Sequence, residues 1–175
     1  MRHFLMENAG LLNRIQQVEI RQVETDSKVQ MLLDAMEKKK LRPQQGIFFN
    51  GQLFDALAFI SDIIKNARHS LILIDNYVDD TVLTLFSKKQ PQVTVTVYTK
   101  NISKALQEDA KKFNSQYSGL TLHKFTHAHD RFLIVDHSDV YHIGASLKDL
   151  GKKWFAFSKM KKESIRIFEK LAINR

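Results

Sequence analysis

The chain has 175 residues, enough for one domain or for one domain with an appended segment. It contains no cysteine, which excludes disulfides and thiolate metal sites and agrees with a cytoplasmic location. No apolar run reaches the roughly 18 residues that span a bilayer, so we expect no membrane partner. The net charge of +8 favours polyanionic partners such as nucleic acid, although a basic surface without such a partner would carry the same charge.

The first predicted element is a helix over residues 4–36 with an apolar seam. Its seam residues alternate in steps of four and three, and they are Leu11, Ile15, Val18, Gln22, Thr25, Val29, Leu32 and Met36. This spacing is a coiled-coil heptad, in which polar seam residues set the register at a cost in stability. We therefore expect residues 1–40 to pair with a second copy of the chain. The alternative is an amphipathic helix that lies on its own domain.

A basic break with Pro43 and Gly46 separates this helix from a domain predicted at 47–175. Strands are predicted at 47–49, 70–78, 93–99, 120–125, 131–135, 139–143 and 154–157. Helices are predicted at 52–68, 79–89, 101–116 and 158–173. Alternating units favour parallel strands with helical connections, and the later run of strands adds antiparallel pairs. The predicted fold class is therefore α/β, a sandwich with a mixed central sheet.

The stretch from His129 to Asp136, H-D-R-F-L-I-V-D, carries the strongest chemical signal. Alternate side chains of a strand point to one side, so His127, His129 and Arg131 are expected to share a face. A guanidinium holds a phosphate with two hydrogen bonds, and an imidazole can attack the phosphate or protonate a leaving oxygen. Asp136 is expected off that face, holding a ring N–H or a backbone turn.

This pattern resembles the H-x-K-x4-D signature of the phospholipase D-like superfamily, with Arg131 at the Lys position. The strand that ends in Gly144-Ala-Ser146 resembles the superfamily's G-S-x-N element. Its Ser and Asn positions hold Ala145 and Leu147 or, shifted by one residue, Ser146 and Lys148.

The resemblance implies a phospholipase D-like half-domain whose site two motifs complete, here from two copies of the chain. It also implies a phosphohistidine mechanism that needs no metal or other cofactor. His129 would be the nucleophile, the His129 of the second copy the general acid, and Arg131 the group that neutralises the phosphoryl oxygens. With Asp136, these residues are the predicted catalytic set.

Three further runs carry a second resemblance: Q-G-I-F-F-N-G-Q at 45–52, D-N-Y-V-D-D-T-V-L-T-L at 75–85 and G-A-S-L-K-D-L-G-K-K at 144–153. They resemble the C-terminal part of bacterial and phage proteins that carry a KilA-type or antirepressor-type DNA-binding domain. This resemblance implies that the chain is a fragment without that domain, with DNA or RNA as its partner.

Four more residues are predicted to bind the substrate. Asp75 and Lys100 each follow a predicted strand, at the sheet edge where α/β proteins present functional groups. Ser146 and Lys148 belong to the small-residue element described above. Asp79 and Asp80 are instead expected to cap the next helix.

Two patterns leave alternatives open. His127-Ala-His129 with a nearby carboxylate would suit a metal ion, although Arg131 on the same face would repel a cation. The lysines after residue 147 alternate with Trp154, Phe155 and Phe157, which suits single-stranded nucleic acid if the rings are exposed and core packing if they are not.

The predicted function is phosphodiester binding by a homodimer, with nuclease or phosphodiesterase activity if the motif is competent. The alternative is a non-catalytic oligomerisation or ligand-sensing module of a DNA-binding transcription regulator.

Overall fold

The computed structural model describes residues 2–40, 43–160 and 165–171, with side chains described at 10–34, 43–160, 167 and 169–171. The chain divides into two compact units, Met1–Pro43 and Gln44–Arg175. None of the helices in the described residues is long and apolar enough to cross a membrane.

The first unit is a single helix, α1, at Arg2–Lys40. The apolar side chains of its predicted seam are 47–64% exposed in the single chain, and they are Leu11, Ile15, Val18, Val29 and Leu32. The polar seam residue Thr25 donates a hydrogen bond from its hydroxyl to the Arg21 carbonyl one turn earlier, at 2.7 Å. The side chain of Met36, the last seam position, lies outside the described residues. An exposed apolar stripe of this kind is a surface that a partner can cover.

The second unit alternates strands and helices before a run of antiparallel strands, as predicted. Its strands are β1 Gln45–Phe48, β2 Ser70–Ile74, β3 Thr94–Thr99, β4 Leu120–Lys124, β5 Arg131–Val135, β6 Asp139–Ile143 and β7 Phe155–Met160. Its helices are α2 Leu53–Lys65, α3 Asp80–Phe86, α4 Lys104–Gln116 and α5 Ile165–Lys170, with a 3₁₀ turn at Leu147–Asp149. Asp79 caps α3 and Ser103 caps α4, each accepting a backbone N–H two or three residues later.

All seven strands form one mixed sheet in the order β1-β7-β6-β5-β2-β3-β4. Strands β2, β3 and β4 are parallel, whereas β5, β6, β7 and β1 pair antiparallel along the other half. The parallel half follows from the helical connections α3 and α4, because only a long crossover returns the chain in the same direction. The predicted mixed sheet is confirmed.

Strand β2 is buried along its whole length, and its alternate residues enter two separate cores. Leu71 and Leu73 belong to the large core under helices α2–α4. Ile72 and Ile74 belong to a smaller core on the other face, where Ile167 and Leu171 pack. The prediction that this apolar run is buried on both faces is confirmed. Packing on both faces holds β2, and the residues at its two ends, in place.

The predicted boundaries are wrong at two strands. The strand predicted at 70–78 ends at Ile74. The Asp75 N–H still donates to the Tyr98 carbonyl, but the Asp75 carboxylate accepts the Tyr77 N–H two residues on, so the chain turns there instead of continuing as a strand. Strand β7 continues through Met160, where a helix was predicted from residue 158, because it pairs with β6 and Lys159 contacts Asp139 at 2.6 Å. Of the predicted closing helix, residues 161–164 and 172–173 lie outside the described residues.

Candidate functional site

The candidate site lies where the C-terminal end of β2 meets the N-terminal end of β5. The two strands are antiparallel neighbours with Ile74 opposite Phe132. Asp75 directly follows Ile74, and Arg131 directly precedes Phe132. The predicted carboxylate and guanidinium therefore come together at one end of the central strand pair.

Asp75 is fully buried and organises the backbone around it. Its carboxylate accepts N–H hydrogen bonds from Tyr77 at 3.0 Å and from Leu147 at 2.9 Å. The Ser146 hydroxyl lies 2.8 Å from the same carboxylate and 3.0 Å from the Tyr77 carbonyl oxygen, so its single hydrogen serves one of the two. This network joins the end of β2 to the turn that follows β6.

Burial raises the pKa of Asp75 above its ordinary value of 3.8, although the donors from Tyr77, Leu147 and Ser146 and the charge of Arg131 act in the opposite direction. A protonated Asp75 could donate to Ser146, whose hydroxyl could then donate to the Tyr77 carbonyl. The protonated form therefore resolves the competition for one hydrogen.

Tyr77 carries two cations on its ring. The Arg131 guanidinium carbon lies 5.8 Å from the ring centroid, and the Lys148 ammonium lies 5.6 Å from it. Both distances are within cation–π range. The Nε of Arg131 is buried and has no hydrogen-bond partner among the described residues. An anion held by Arg131 and Lys148 would bind against this aromatic support.

These residues line an open cleft of about 540 Å³. Its cations are Arg131, Lys148, Lys152 and Lys153, and its acid is Asp149, which pairs with Lys152 at 2.9 Å. The remaining lining residues are Tyr77, Gly144, Ala145, Ser146 and Trp154. Because positive groups outnumber the single paired carboxylate, the cleft is suited to an anionic ligand.

His129 lies two residues before β5, in the loop that leads into the strand, and it is exposed. The strand that was expected to align His127, His129 and Arg131 on one face begins only at Arg131, so strand alternation does not place the two histidines. His127 contacts the Phe125 ring edge-on, with centroids 5.6 Å apart. Among the described residues that line the cleft, Arg131 is present and His129 is not. A single chain thus does not bring the imidazole into the cleft.

Asn76 ties this histidine loop to the site, a contact that sequence reasoning missed. Its side-chain amide donates to the Ala128 carbonyl at 2.7 Å, between the two loop histidines. The only sequence signal for it is its place directly after Asp75 at the end of a buried strand. Asn76 therefore positions the backbone that carries His129.

Asp136 lies at the opposite end of β5 from Arg131. Its carboxylate accepts backbone N–H hydrogen bonds from Arg68, His69 and Ser70 at 2.7–3.1 Å. Burial opposes ionisation, but these three donors prevail and lower the pKa of Asp136 below its ordinary value of 3.8. Asp136 thus holds the backbone turn at the start of β2, away from the cleft.

The four predicted substrate-binding residues divide into two kinds. Lys148 faces the cleft, and Lys100 is exposed after β3 but is not among the described residues that line the cleft. Ser146 touches the cleft but is only 4% exposed, and Asp75 is completely buried. Ser146 and Asp75 therefore support the site through buried hydrogen bonds and do not present their side chains to a ligand.

The metal alternative has little structural support in the part of the chain that is described. Residues 43–160 and the other described segments contain no group of three or more His, Cys, Asp or Glu side chains suited to a metal ion. His142 instead lies 3.7 Å from the Asp130 carboxylate.

The basic aromatic segment separates into exposed and buried parts. Phe155 and Phe157 are each 4% exposed and fill the core, whereas Trp154 is 70% exposed beside Lys152 and Lys153. The two alternatives for this segment therefore apply to different residues within it.

Comparison with known proteins shows the fold of the chain. No family model and no curated protein matches the sequence. The structure is similar to NucT from Helicobacter pylori, with a TM-score of 0.53 and 12% identity over 73% of this chain and 91% of that one. It is also similar to polyphosphate kinase from Porphyromonas gingivalis, with a TM-score of 0.51 and 14% identity over 75% of this chain and 22% of that one.

Both of these proteins have phospholipase D-like folds. The comparisons give no support to the resemblance to KilA-type or antirepressor-type proteins. The predicted fold class is confirmed: the second unit is a phospholipase D-like α/β sandwich with a mixed central sheet.

Proposed function

We propose that the chain binds phosphodiesters in the cleft of Arg131 and Lys148 and hydrolyses them in a site completed by a second copy. The observation that carries this proposal is that Arg131, at the N-terminal end of β5, lines an open cleft together with Lys148, Lys152 and Lys153. A guanidinium holds a phosphate through two parallel hydrogen bonds, and the neighbouring lysines add positive charge for the same anion.

In the proposed reaction, an unprotonated His129 attacks phosphorus and forms a P–N bond. The ester P–O bond breaks, and the leaving oxygen takes a proton from the His129 of the second copy. A water molecule, deprotonated by that same second imidazole, then attacks the phosphohistidine and releases His129 and the phosphate product. Arg131 neutralises the charge that develops on the non-bridging oxygens. Asp136 contributes by positioning the backbone at the start of β2.

The second copy is needed because the proposed reaction uses two motif imidazoles, whereas one chain supplies one, and that imidazole does not line the cleft of its own Arg131. The exposed heptad seam of α1 provides an apolar surface for pairing, and Gln22 and Thr25 would fix its register. The site would then form where the two His129 loops face each other across one phosphate group, since reacting atoms must approach to about 3–3.5 Å.

The first test is cleavage of a nitrophenyl phosphodiester in EDTA. We expect His129→Ala to reduce the rate by at least about a hundredfold, because general acid–base catalysis alone contributes that much. His127→Ala is the matched control, since it removes another imidazole from the same loop. A second variant tests pairing: Ile15→Glu with Val18→Glu places charges on the seam and should sediment as a monomer and lose activity.

Equal rates for wild type and His129→Ala would contradict the proposed chemistry. A monomeric seam variant that stays active would contradict the shared site.

A second candidate function is anion sensing without turnover, as a module of a DNA-binding transcription regulator. Ser146 favours it, because this residue, which holds the serine position in one of the two alignments of the second motif, is 4% exposed and its hydroxyl is engaged by Asp75 and Tyr77. Sulfate binding that depends on Arg131, with no hydrolysis of any phosphodiester offered, would select this function over the first.

A further inference from the structure

We propose that Trp154 is a stacking platform for an unpaired nucleobase, so that the cleft takes single-stranded nucleic acid. This inference rests on the proposed function, because the cations that would hold its phosphates are those of the same cleft. It adds the class of substrate and the residue that recognises it.

Trp154 is held in place and yet open to solvent. Its side chain is 70% exposed, although it directly precedes the buried Phe155 at the start of β7. Phe49 contacts it edge-on, with ring centroids 4.9 Å apart and planes at 87°. Phe49 in turn belongs to a tight turn in which its N–H donates to the Gln52 side chain at 2.7 Å and its carbonyl accepts from the Gln52 N–H.

An exposed tryptophan leaves apolar surface in water that a planar apolar ligand would cover. The T-shaped contact with Phe49 limits the orientations of the indole while the ring stays largely accessible. An oriented ring that is already exposed loses little conformational freedom when a base stacks on it.

Tyr77 is a poorer platform than Trp154 in the same cleft. The guanidinium of Arg131 and the ammonium of Lys148 both lie within 6 Å of its ring centroid, so charged groups already occupy its surroundings. The cleft thus has two aromatic groups with different roles: Tyr77 supports cations, and Trp154 offers an open face.

The charges and size of the cleft fit a nucleotide strand. Arg131, Lys148 and Lys153 supply positive groups for successive phosphates, and the volume of about 540 Å³ lies within the range of sites that enclose small ligands. Bases in a duplex already stack on their neighbours and cannot lie on a protein ring without leaving the helix. A strand with unpaired bases pays no such cost, so the pairing of phosphate contacts with an open ring favours single strands.

The test uses the fact that Trp154 is the single tryptophan of the chain. Its fluorescence therefore reports the proposed stack without labelling. We expect quenching when the full chain is titrated with oligothymidylate of about ten nucleotides, a length within the usual site sizes for single strands. An abasic strand of equal length, which has the phosphates but no bases, should bind more weakly and leave the emission nearly unchanged. The same titration with oligouridylate compares the affinity for RNA with the affinity for DNA.

Variants give the second readout, by anisotropy of an end-labelled strand. Trp154→Ala should weaken oligothymidylate binding about tenfold, the size of one lost stack, while binding of the abasic strand stays unchanged. Trp154→Phe should retain most of the affinity. Tyr117→Ala, which removes an exposed ring after α4 outside the cleft, is the matched control and should bind like wild type.

Three contrary outcomes are distinguishable. If abasic and base-containing strands bind equally and Trp154→Ala changes neither, the stacking platform is overturned while phosphodiester binding stands. If no strand binds and Arg131→Ala makes no difference to sulfate, the proposed function fails together with the inference. Equal affinity and equal quenching for a blunt duplex would also overturn the single-strand preference.

Discussion

The two ends of strand β2 each hold a buried or partly buried aspartate that accepts several hydrogen bonds, and the two carboxylates behave in opposite ways. At the N-terminal end, Asp136 accepts three backbone N–H groups and its pKa is lowered. At the C-terminal end, Asp75 accepts two backbone N–H groups and a hydroxyl, and its pKa is raised. The difference is solvent access, because Asp75 is fully buried and Asp136 is not.

This contrast separates the end of the sheet where a carboxylate holds a turn, called the structural end, from the end that carries the candidate site, called the functional end. At partly exposed Asp136, the backbone hydrogen bonds stabilise the ionised carboxylate and hold a turn. Burial of the Asp75 carboxyl group beside Tyr77 and Ser146 raises its pKa, and such perturbed groups concentrate at functional sites. Because β2 and β5 are antiparallel neighbours, Arg131 lies at the functional end and Asp136 at the structural end.

Asp75→Asn should have the largest effect on folding, a loss of about 2 kcal/mol in the free energy of unfolding, because one of two backbone N–H groups must then face an amide NH₂. The folded pKa of Asp75 is raised, so its contribution to stability is present below the ordinary value of 3.8 and is lost as pH rises through the folded pKa. Urea unfolding of wild type and variant should show a penalty that is larger at acidic pH than at pH 7. A loss of stability on Asp75→Asn that grows toward neutral pH would contradict the opposite behaviour of the two carboxylates.

Asp136→Asn should cost less, about 1 kcal/mol, because the oxygen that accepts from all three N–H groups is retained. The loss of stability on Asp136→Asn should depend on pH in the opposite direction to that of Asp75→Asn. A folded pKa below 3.8 gives stability that is present above that value and is lost as pH falls through the folded pKa. The same unfolding series should show a penalty that is greatest near neutral pH, with sulfate affinity unchanged. A loss of sulfate binding would place Asp136 in the functional site after all.

Arg131→Ala should change the free energy of unfolding least, by under about 1 kcal/mol, because the Arg131 Nε makes no hydrogen bond among the described residues and the contact of the guanidinium with the Tyr77 ring is 5.8 Å long. The main effect of Arg131→Ala is expected on anion affinity. Sulfate affinity, measured by calorimetry, should fall about tenfold or more, since hydrogen bonds to charged groups contribute roughly 1.5–3 kcal/mol. Arg131→Lys controls for charge alone and should retain part of the affinity. A variant that binds sulfate as tightly as wild type would remove Arg131 from the site.

Much of the fold could be predicted because its signals are local. The heptad of α1, the cap at Asp79 and the apolar run of β2 each lie within one short segment. The errors came where pairing partners decide the conformation. Residues 158–160 carry a pattern that suits a helix, but β6 pairs with them and keeps them extended.

The site was predicted less completely than the fold. Arg131 and Lys148 are in the cleft, as their positions in the two motifs suggested. His129 was expected beside Arg131, but the strand that would have aligned them begins two residues after His129. Tyr77 and Asn76 could not be assigned roles from sequence, since their contacts are to Lys148, Arg131 and Ala128 on other elements.

The sequence by itself determined the order of strands and helices and which segment carries an imidazole, a guanidinium and a carboxylate, because those properties depend on neighbours along the chain. Only the tertiary structure decided that the Ser146 hydroxyl meets a carboxylate 71 residues earlier, and that Trp154 is exposed while Phe155 is buried. Burial and long-range contact depend on which strands pair and which face a helix covers, and those are properties of the assembled sheet.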